Sequence, residues 1–436
     1  MRGAALFLTL PLIACAAPQT GYREAVALVQ QSRNVEAIPI LEELLARTPA
    51  DLKARNLLGI ALLNSEKREE AAAQFRHAME QDPAFYPAIK NLAIVEIALK
   101  RLPQARTHFE QVLKLAPADA VSHLNLGEFD FADGRYAQAL AHYQQSGGLN
   151  LKDPQVAIRA LRAAMESASF PAAIEIGAQL SPSTEVSTLL AQAYERSGDT
   201  PRAYDTLRAA IQREPESESL YLDLLSLCIQ HHTWDLALQV AEAAIDRVPQ
   251  SSHLHIQRGA IFALKGDLDA AERDFAEAVR LAPGEVLPHV ALALARVQFD
   301  RAPEAVAGLR ACRAQHPNDY LVNWILGETL ANQGEDEDAL RALSDAVRLG
   351  PREPAPKLLL GKLLMRRGDL AGAAREFESA LQLDPANVTA MYQLATVYRK
   401  TGKTQRADEL FDKVSQARST PTTDSPSLTL EHLLRR

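Results

Sequence analysis

Three cysteines and eleven histidines are the side chains in this 436-residue chain best suited to nucleophilic or metal chemistry. Their spacing supports neither. His253 and His255 lie two apart at the start of a helical stretch, so their rings point to different faces and make poor joint ligands. His231 and His232 fall at a turn beside Trp234. All four read as surface or turn histidines. Cys228 and Cys312 stand in segments too distant to bridge and read as buried free thiols. HExxH, GxSxG, a Walker loop and GxGxxG are absent, so the chain is expected to be no enzyme and to hold no metal or cofactor. A net charge of −8 argues against nucleic acid as a main partner.

Cys15 stands apart. Residues 1–17 hold a charged start, a short apolar stretch and then small residues, the order of a secretory signal and too short to span a bilayer. Leu12-Ile13-Ala14-Cys15 resembles the bacterial lipobox, which implies that Cys15 becomes the lipidated first residue of an exported protein. Membrane association would then run through the lipid anchor. Cleavage after Ala14-Cys15-Ala16 is the plainer alternative.

The elements that must position any other functional side chain follow from a ladder of alanines. Ala37, Ala71, Ala105, Ala139, Ala173, Ala203, Ala237, Ala271, Ala305, Ala339, Ala373 and Ala407 are spaced by 34 residues, except for one step of 30 from Ala173 to Ala203. A fixed period of this size marks a stacked array of repeats. Counting each repeat from 19 residues before its alanine places the alanine at position 20. Position 8 is then Gly or Ala in ten of the twelve repeats, and position 24 is mostly a large apolar residue. Position 32 is Pro in nine. Small residues at 8 and 20 let two helices approach, and the residue at 24 fills the remaining space. Gly at position 15, as in Gly134, Gly198, Gly266, Gly334, Gly368 and Gly402, ends the first helix with a left-handed cap. Where position 8 becomes Leu (Leu161, Leu225), position 24 becomes small (Gly177, Ala241), so each Leu is expected to lean into the space its partner vacates.

The pattern resembles the tetratricopeptide repeat. Asn56-Leu57-Leu58-Gly59 with Ala71, Phe75, Ala78 and Pro83 carries the resemblance, as does Leu360-Gly361 with Ala373, Phe377, Ala380 and Pro385. It implies an all-α fold: a right-handed superhelical solenoid of about twelve helix-turn-helix units. The first helices would line a concave groove that binds a protein or peptide segment. Four regions follow: a signal peptide at 1–17, an N-terminal array at 18–183 with a short fifth repeat, a C-terminal array at 184–418, and a tail at 419–436. Ser146-Gly147-Gly148 and the short repeat make 146–183 the candidate hinge. Leu428, Leu430, Leu433 and Leu434 would let the tail fold back over the last repeat.

Groove-facing positions of the first helices assign Lys90, Asn91, Asn125, Glu128, Arg159, Arg162, Gln192 and Arg196 in the middle of the chain, and Trp324, Glu328, Asn332, Lys362, Arg366, Tyr392 and Arg399 later. Chaperone-binding members of the family clamp a peptide's terminal carboxylates with Lys, Asn and Arg side chains. Lys90, Asn125 and Arg159 match three of those slots, while Ile94 and Gln155 depart from two. The expected function is a non-enzymatic protein-interaction scaffold of the bacterial cell envelope, lipid-anchored in the periplasm and serving envelope assembly or secretion. The alternative is a soluble cytoplasmic co-chaperone or adaptor.

Overall fold

The computed structural model describes residues 20–147 and 153–417. The signal segment, Cys15, Gly148 and the tail lie outside the described residues. The chain divides into two compact units, residues 1–200 and 201–436.

The first unit stacks α1 (Thr20–Gln30), α2 (Asn34–Arg47), α3 (Leu52–Asn64), α4 (Arg68–Gln81), α5 (Tyr86–Ala98), α6 (Leu102–Leu115), α7 (Ala120–Ala132), α8 (Tyr136–Gln145), α9 (Pro154–Glu166), α10 (Phe170–Gln179) and α11 (Thr184–Arg196). The second runs from α12 (Thr200–Arg213) through α13 (Glu218–Gln230), α14 (Trp234–Arg247), α15 (Ser252–Lys265), α16 (Leu268–Leu281), α17 (Val286–Gln298), α18 (Ala302–Gln315), α19 (Tyr320–Gln333), α20 (Asp336–Leu349), α21 (Pro354–Arg366), α22 (Leu370–Leu383), α23 (Val388–Lys400) and α24 (Thr404–Ala417). Odd-numbered helices are the first of each repeat and even-numbered ones the second. No strand occurs among the described residues. The short repeat loses its turn in α10, and α8 just before it is equally short.

All twelve ladder alanines are fully buried. The close approach they allow is visible at position 8, where a Cβ added to Gly59, Gly259 or Gly361 would collide with the ring of Phe75, Phe275 or Phe377. In repeat five a Cβ on Gly177 would lie 3.1 Å from Leu190 Cδ1 of the next repeat and 3.7 Å from Leu161 Cδ1, so Leu161 leans toward the vacated space as expected but shares it with Leu190. Leu225 and Ala241 are both fully buried in one core.

Turns and caps repeat as faithfully. Position 15 is left-handed in every repeat. Six repeats use the expected glycines, and six use Ser32, Glu66, Lys100, Ala168, His232 and Asp300, with φ between 54° and 62°. After five of the nine position-32 prolines, the residue two further on caps the next first helix with its side chain. Asp51, Asp119, Ser251, Asp319 and Asn387 each accept a backbone N–H from its first turn. In five repeats position 4 reaches back to the preceding position-32 proline. Arg55 donates to the Pro49 carbonyl (2.6 Å), His123 to Pro117 (2.9 Å), Tyr221 to Pro215 (3.1 Å), His289 to Pro283 (3.0 Å) and Asn323 to Pro317 (3.0 Å). A carbonyl the helix end would leave orphaned is satisfied by the next repeat, which ties successive units together.

Candidate functional site: the face of the first helices

Successive first helices touch directly, as in α1–α3, α3–α5, α9–α11, α15–α17 and α19–α21, whereas no two second helices meet as extensively. Within each unit the first helices therefore form the tighter, inner side, and their variable side chains supply the candidate surface.

In the first unit, Lys90, Glu128, Arg159 and Arg162 are each paired within the fold. Lys90 Nζ lies 2.6 Å from Asp119 Oδ1, with both side chains largely buried. Asp119 also accepts from the Ser122 N–H and hydroxyl at 3.0 and 2.8 Å. Burial pushes its carboxyl up, but the hydrogen bonds from Lys90 and Ser122 outweigh it and hold the carboxyl below the usual range. Glu128 accepts from Arg159 Nε and from the Tyr143 hydroxyl, each at 2.9 Å. Burial, and then the Glu128 charge, push the Tyr143 phenol up. Arg162 Nε donates to Glu185 at 2.7 Å on the next first helix. Asn125 spends its amide on Val121 O, 2.8 Å away in its own helix. All three residues that match the carboxylate clamp are thus engaged within the fold, and Ile94 is buried at the fourth slot.

Two assigned residues are not on open surface. Asn91 is 6% exposed and donates to Asn56 Oδ1 at 2.9 Å. Trp324 is also 6% exposed, its ring 5.7 Å from that of Tyr320, and its indole N–H has no partner. Gln192, Arg196 and Asn332 are exposed, and Glu328 and Lys362 half-buried. Arg366 donates to Ala331 O at 3.1 Å and pairs with Asp336 of the preceding repeat. Tyr392 packs edge-on against Phe411 at 5.8 Å, and the Arg399 guanidinium sits 4.4 Å from the same ring.

The expected polar groove omits an apolar component. Ile60 and Ile94 at position 9, with half-buried Leu63, Ile97, Phe131 and Met165 at position 12, run along the first helices of repeats two to five. The signal was present in the sequence as an apolar residue recurring at position 12. His255 also differs from expectation. It is buried, with Nδ1 3.0 Å from Asp274. Cys228 and Cys312 are buried free thiols as expected. Burial pushes both thiols up, Cys312 to about 11 with a further contribution from Asp319, so neither is a thiolate at neutral pH. Among the described residues no group of three or more His, Cys, Asp or Glu is placed to hold a metal ion. No described helix is long and apolar enough to cross a membrane.

Stacked helical hairpins with an invariant small-residue seam and a variable inner face define a helical-repeat scaffold. Tetratricopeptide repeat models match residues 28–93, 62–127 and 364–421, and another matches 120–145. A model described as the cilia and flagella-associated protein 70 C-terminal domain matches residues 137–391, more than half of the chain. The chain therefore belongs to the tetratricopeptide repeat family, in the branch that this last description names. Similar solved structures include yeast Tom70, 16% identical over 95% of this chain and 93% of its own, with a TM-score of 0.47. The APC/C hetero-tetramer Cut9-Hcn1 is 14% identical over 95% and 89%, with a TM-score of 0.43. MamA is 20% identical over 37% of this chain and 94% of its own, with a TM-score of 0.35. No curated protein matches the sequence. The fold is that of a protein–protein interaction scaffold.

Proposed function

We propose that the chain is a non-enzymatic scaffold whose first-helix face holds a segment of another protein, and that it does so exported and anchored to the cell envelope through Cys15. The observation that carries the binding reading is the contrast across each repeat. The seam between helices keeps a fully buried Ala at position 20 in every repeat, while the inner face changes from repeat to repeat. Variable side chains on a fixed frame are what recognition of a particular partner requires. In the first unit, the internal pairing of Lys90, Arg159 and Arg162 favours a partner segment that brings apolar side chains to the row at positions 9 and 12 over one that offers a terminal carboxylate. The anchoring reading rests on the residues around Cys15 alone.

Two measurements test it. In detergent phase partitioning, the wild-type chain should enter the detergent phase and Cys15→Ala the aqueous phase; equal partitioning would remove the anchor. For the groove, Ile97→Asp and Phe131→Asp together should lose the proteins captured by the full chain, while Lys90→Ala with Arg159→Ala should retain them. The reverse pattern would restore the carboxylate clamp.

A further inference from the structure

Along one edge of the array, the end of each first helix and the turn after it meet the start of the preceding second helix, and the residues there pair across repeats. Arg366 at position 13 pairs with Asp336 at position 17 of the repeat before. Position 14 pairs with position 18 in Arg367–Glu337 (2.7 Å) and Lys265–Asp235 (2.5 Å). At position 16, Arg101 pairs with Glu69 (2.6 Å), and Arg301 pairs with Glu272. The last repeat keeps the cations of this device and lacks its anions. Lys400 occupies position 13 and Lys403 position 16, but α22 presents Leu370, Ala371 and Ala374 where the acids stand elsewhere.

Neither lysine has an ion-pair partner among the described residues, and the Lys403 ammonium lies 5.1 Å from the centre of the Tyr398 ring. The surroundings add to the imbalance. From Pro385 to Ala407 the chain carries Arg399, Lys400, Lys403 and Arg406 and no acid, within a protein of net charge −8. Tyr392 on the same helix is 44% exposed. Arg399 is paired only with Asp408, at 3.2 Å and with both side chains well exposed, a pair an incoming carboxylate could replace at little cost.

We propose that this edge of the last repeat docks an acidic segment of a partner protein, with Lys400 and Lys403 taking its carboxylates and Tyr392 an adjacent apolar side chain. The proposal rests on the reading of the first-helix face as a protein-binding surface, and adds a place and a partner chemistry. The free cations complement negative charge. Asp408, Glu409 and Asp412 follow in the same hairpin, on α24, and like charge would repel a broad anionic membrane more than one short acidic segment. The chain's own last residues are a poor occupant, because Asp424 and Glu431 are balanced by Arg435 and Arg436.

The test uses the full chain and a short fluorescein-labelled peptide in which Glu alternates with Leu, with a Gln–Leu counterpart as control. Anisotropy should show the Glu peptide binding about tenfold more tightly than the Gln peptide at low salt. That preference should fade between about 50 mM and about 500 mM salt. Lys400→Gln with Lys403→Gln should weaken the Glu peptide about five- to tenfold and leave the Gln peptide unchanged. Both lysines are exposed, so unchanged circular dichroism is expected for the variant. Equal affinity for the two peptides, or a Glu peptide indifferent to the double substitution, would overturn the proposal. So would lysine-dependent binding to vesicles of phosphatidylglycerol without binding to the peptide. Proteins captured by the wild-type chain and still captured by the lysine variant would leave the groove reading standing while this inference fails.

Discussion

Repeats four and eight each bury an aspartate under arginines, but they place it on opposite helices, and this changes what it holds together. In repeat four, Asp130 lies on the first helix. It accepts from Arg135 in the following turn and from Arg106 of the preceding repeat, each at 2.7 Å. In repeat eight, Asp274 lies on the second helix and accepts from Arg258 Nε and Nη2 at 2.7 Å and from His255 at 3.0 Å, all within one hairpin. The first arrangement joins repeats and the second closes one. The difference propagates to the histidines at position 4. His255 is satisfied by Asp274. His123 instead donates through Nε2 to Pro117 O, so its Nδ1 must accept, and His142 Nδ1 donates to it at 2.9 Å.

The largest expected effect comes from removing one aspartate at a time. Asp274→Asn leaves Arg258 without its bidentate partner and should cost about 2–4 kcal/mol. By hydrogen exchange the loss of protection should be confined to α15 and α16. Asp130→Asn should cost a similar amount, but with α6 deprotected together with α7 and α8, because Arg106 sits on α6. Deprotection of the same extent in both variants would remove the distinction between joining and closing.

Acid should separate the two repeats further. Burial, with His123 and Arg106 nearby, pushes the His142 imidazole below its ordinary 6.5 despite the opposing charges of Asp130 and Glu110. The unfolded chain then binds the proton more readily, so the contribution of this group is present above pH 6.5 and is lost as pH falls through the lower folded value. In Asp274, burial raises the carboxyl, but the Arg258 and His255 hydrogen bonds and charges bring it below its ordinary 3.8. Its contribution persists above 3.8 and is lost only as pH falls below that value. Amide protection corrected for intrinsic exchange should therefore decline in α7 and α8 between about pH 7 and pH 5. His142→Gln should flatten that slope. A slope unchanged in His142→Gln would assign it to other groups.

The hairpin array was legible in the sequence because its cause is steric and repeats. An alanine that must be fully buried cannot vary, so Ala37 through Ala407 mark every second helix. The inner face was only partly legible. Position numbers place a residue on a helix face but do not say how large its neighbours are, and burial depends on both. Trp324 is covered partly because Tyr320 lies against it, and Asn91 because Asn56 reaches it. The buried polar pairs had a signal that went unread. Arg55–Gln74, His123–His142 and His255–Asp274 are each separated by 19 residues, joining position 4 to position 23. Several of the left-handed turns carried no signal at all, since nothing about Glu66, Lys100 or Ala168 as residue types favours positive φ.

Those turns supply the smallest effect and the control for the other two. Repeats four and eight both use glycine at position 15, Gly134 at φ 72° and Gly266 at φ 85°, and an added Cβ would meet no atom within 4 Å at either. The cost of Gly134→Ala and Gly266→Ala is then backbone conformation alone, about 1 kcal/mol in each. The two should be equal, because the added Cβ contacts the polar cluster of neither repeat. Ala168→Gly should show the opposite sign, a gain of up to about 1 kcal/mol, reduced by the greater freedom of glycine in the unfolded chain. Equal costs at Gly134 and Gly266 would mean that the two hairpins respond alike to a local backbone change. The different reach of Asp130 and Asp274 would then belong to their side chains. Unequal costs would mean that one hairpin is intrinsically softer, and the same softness would account for its response to acid without the histidine pair.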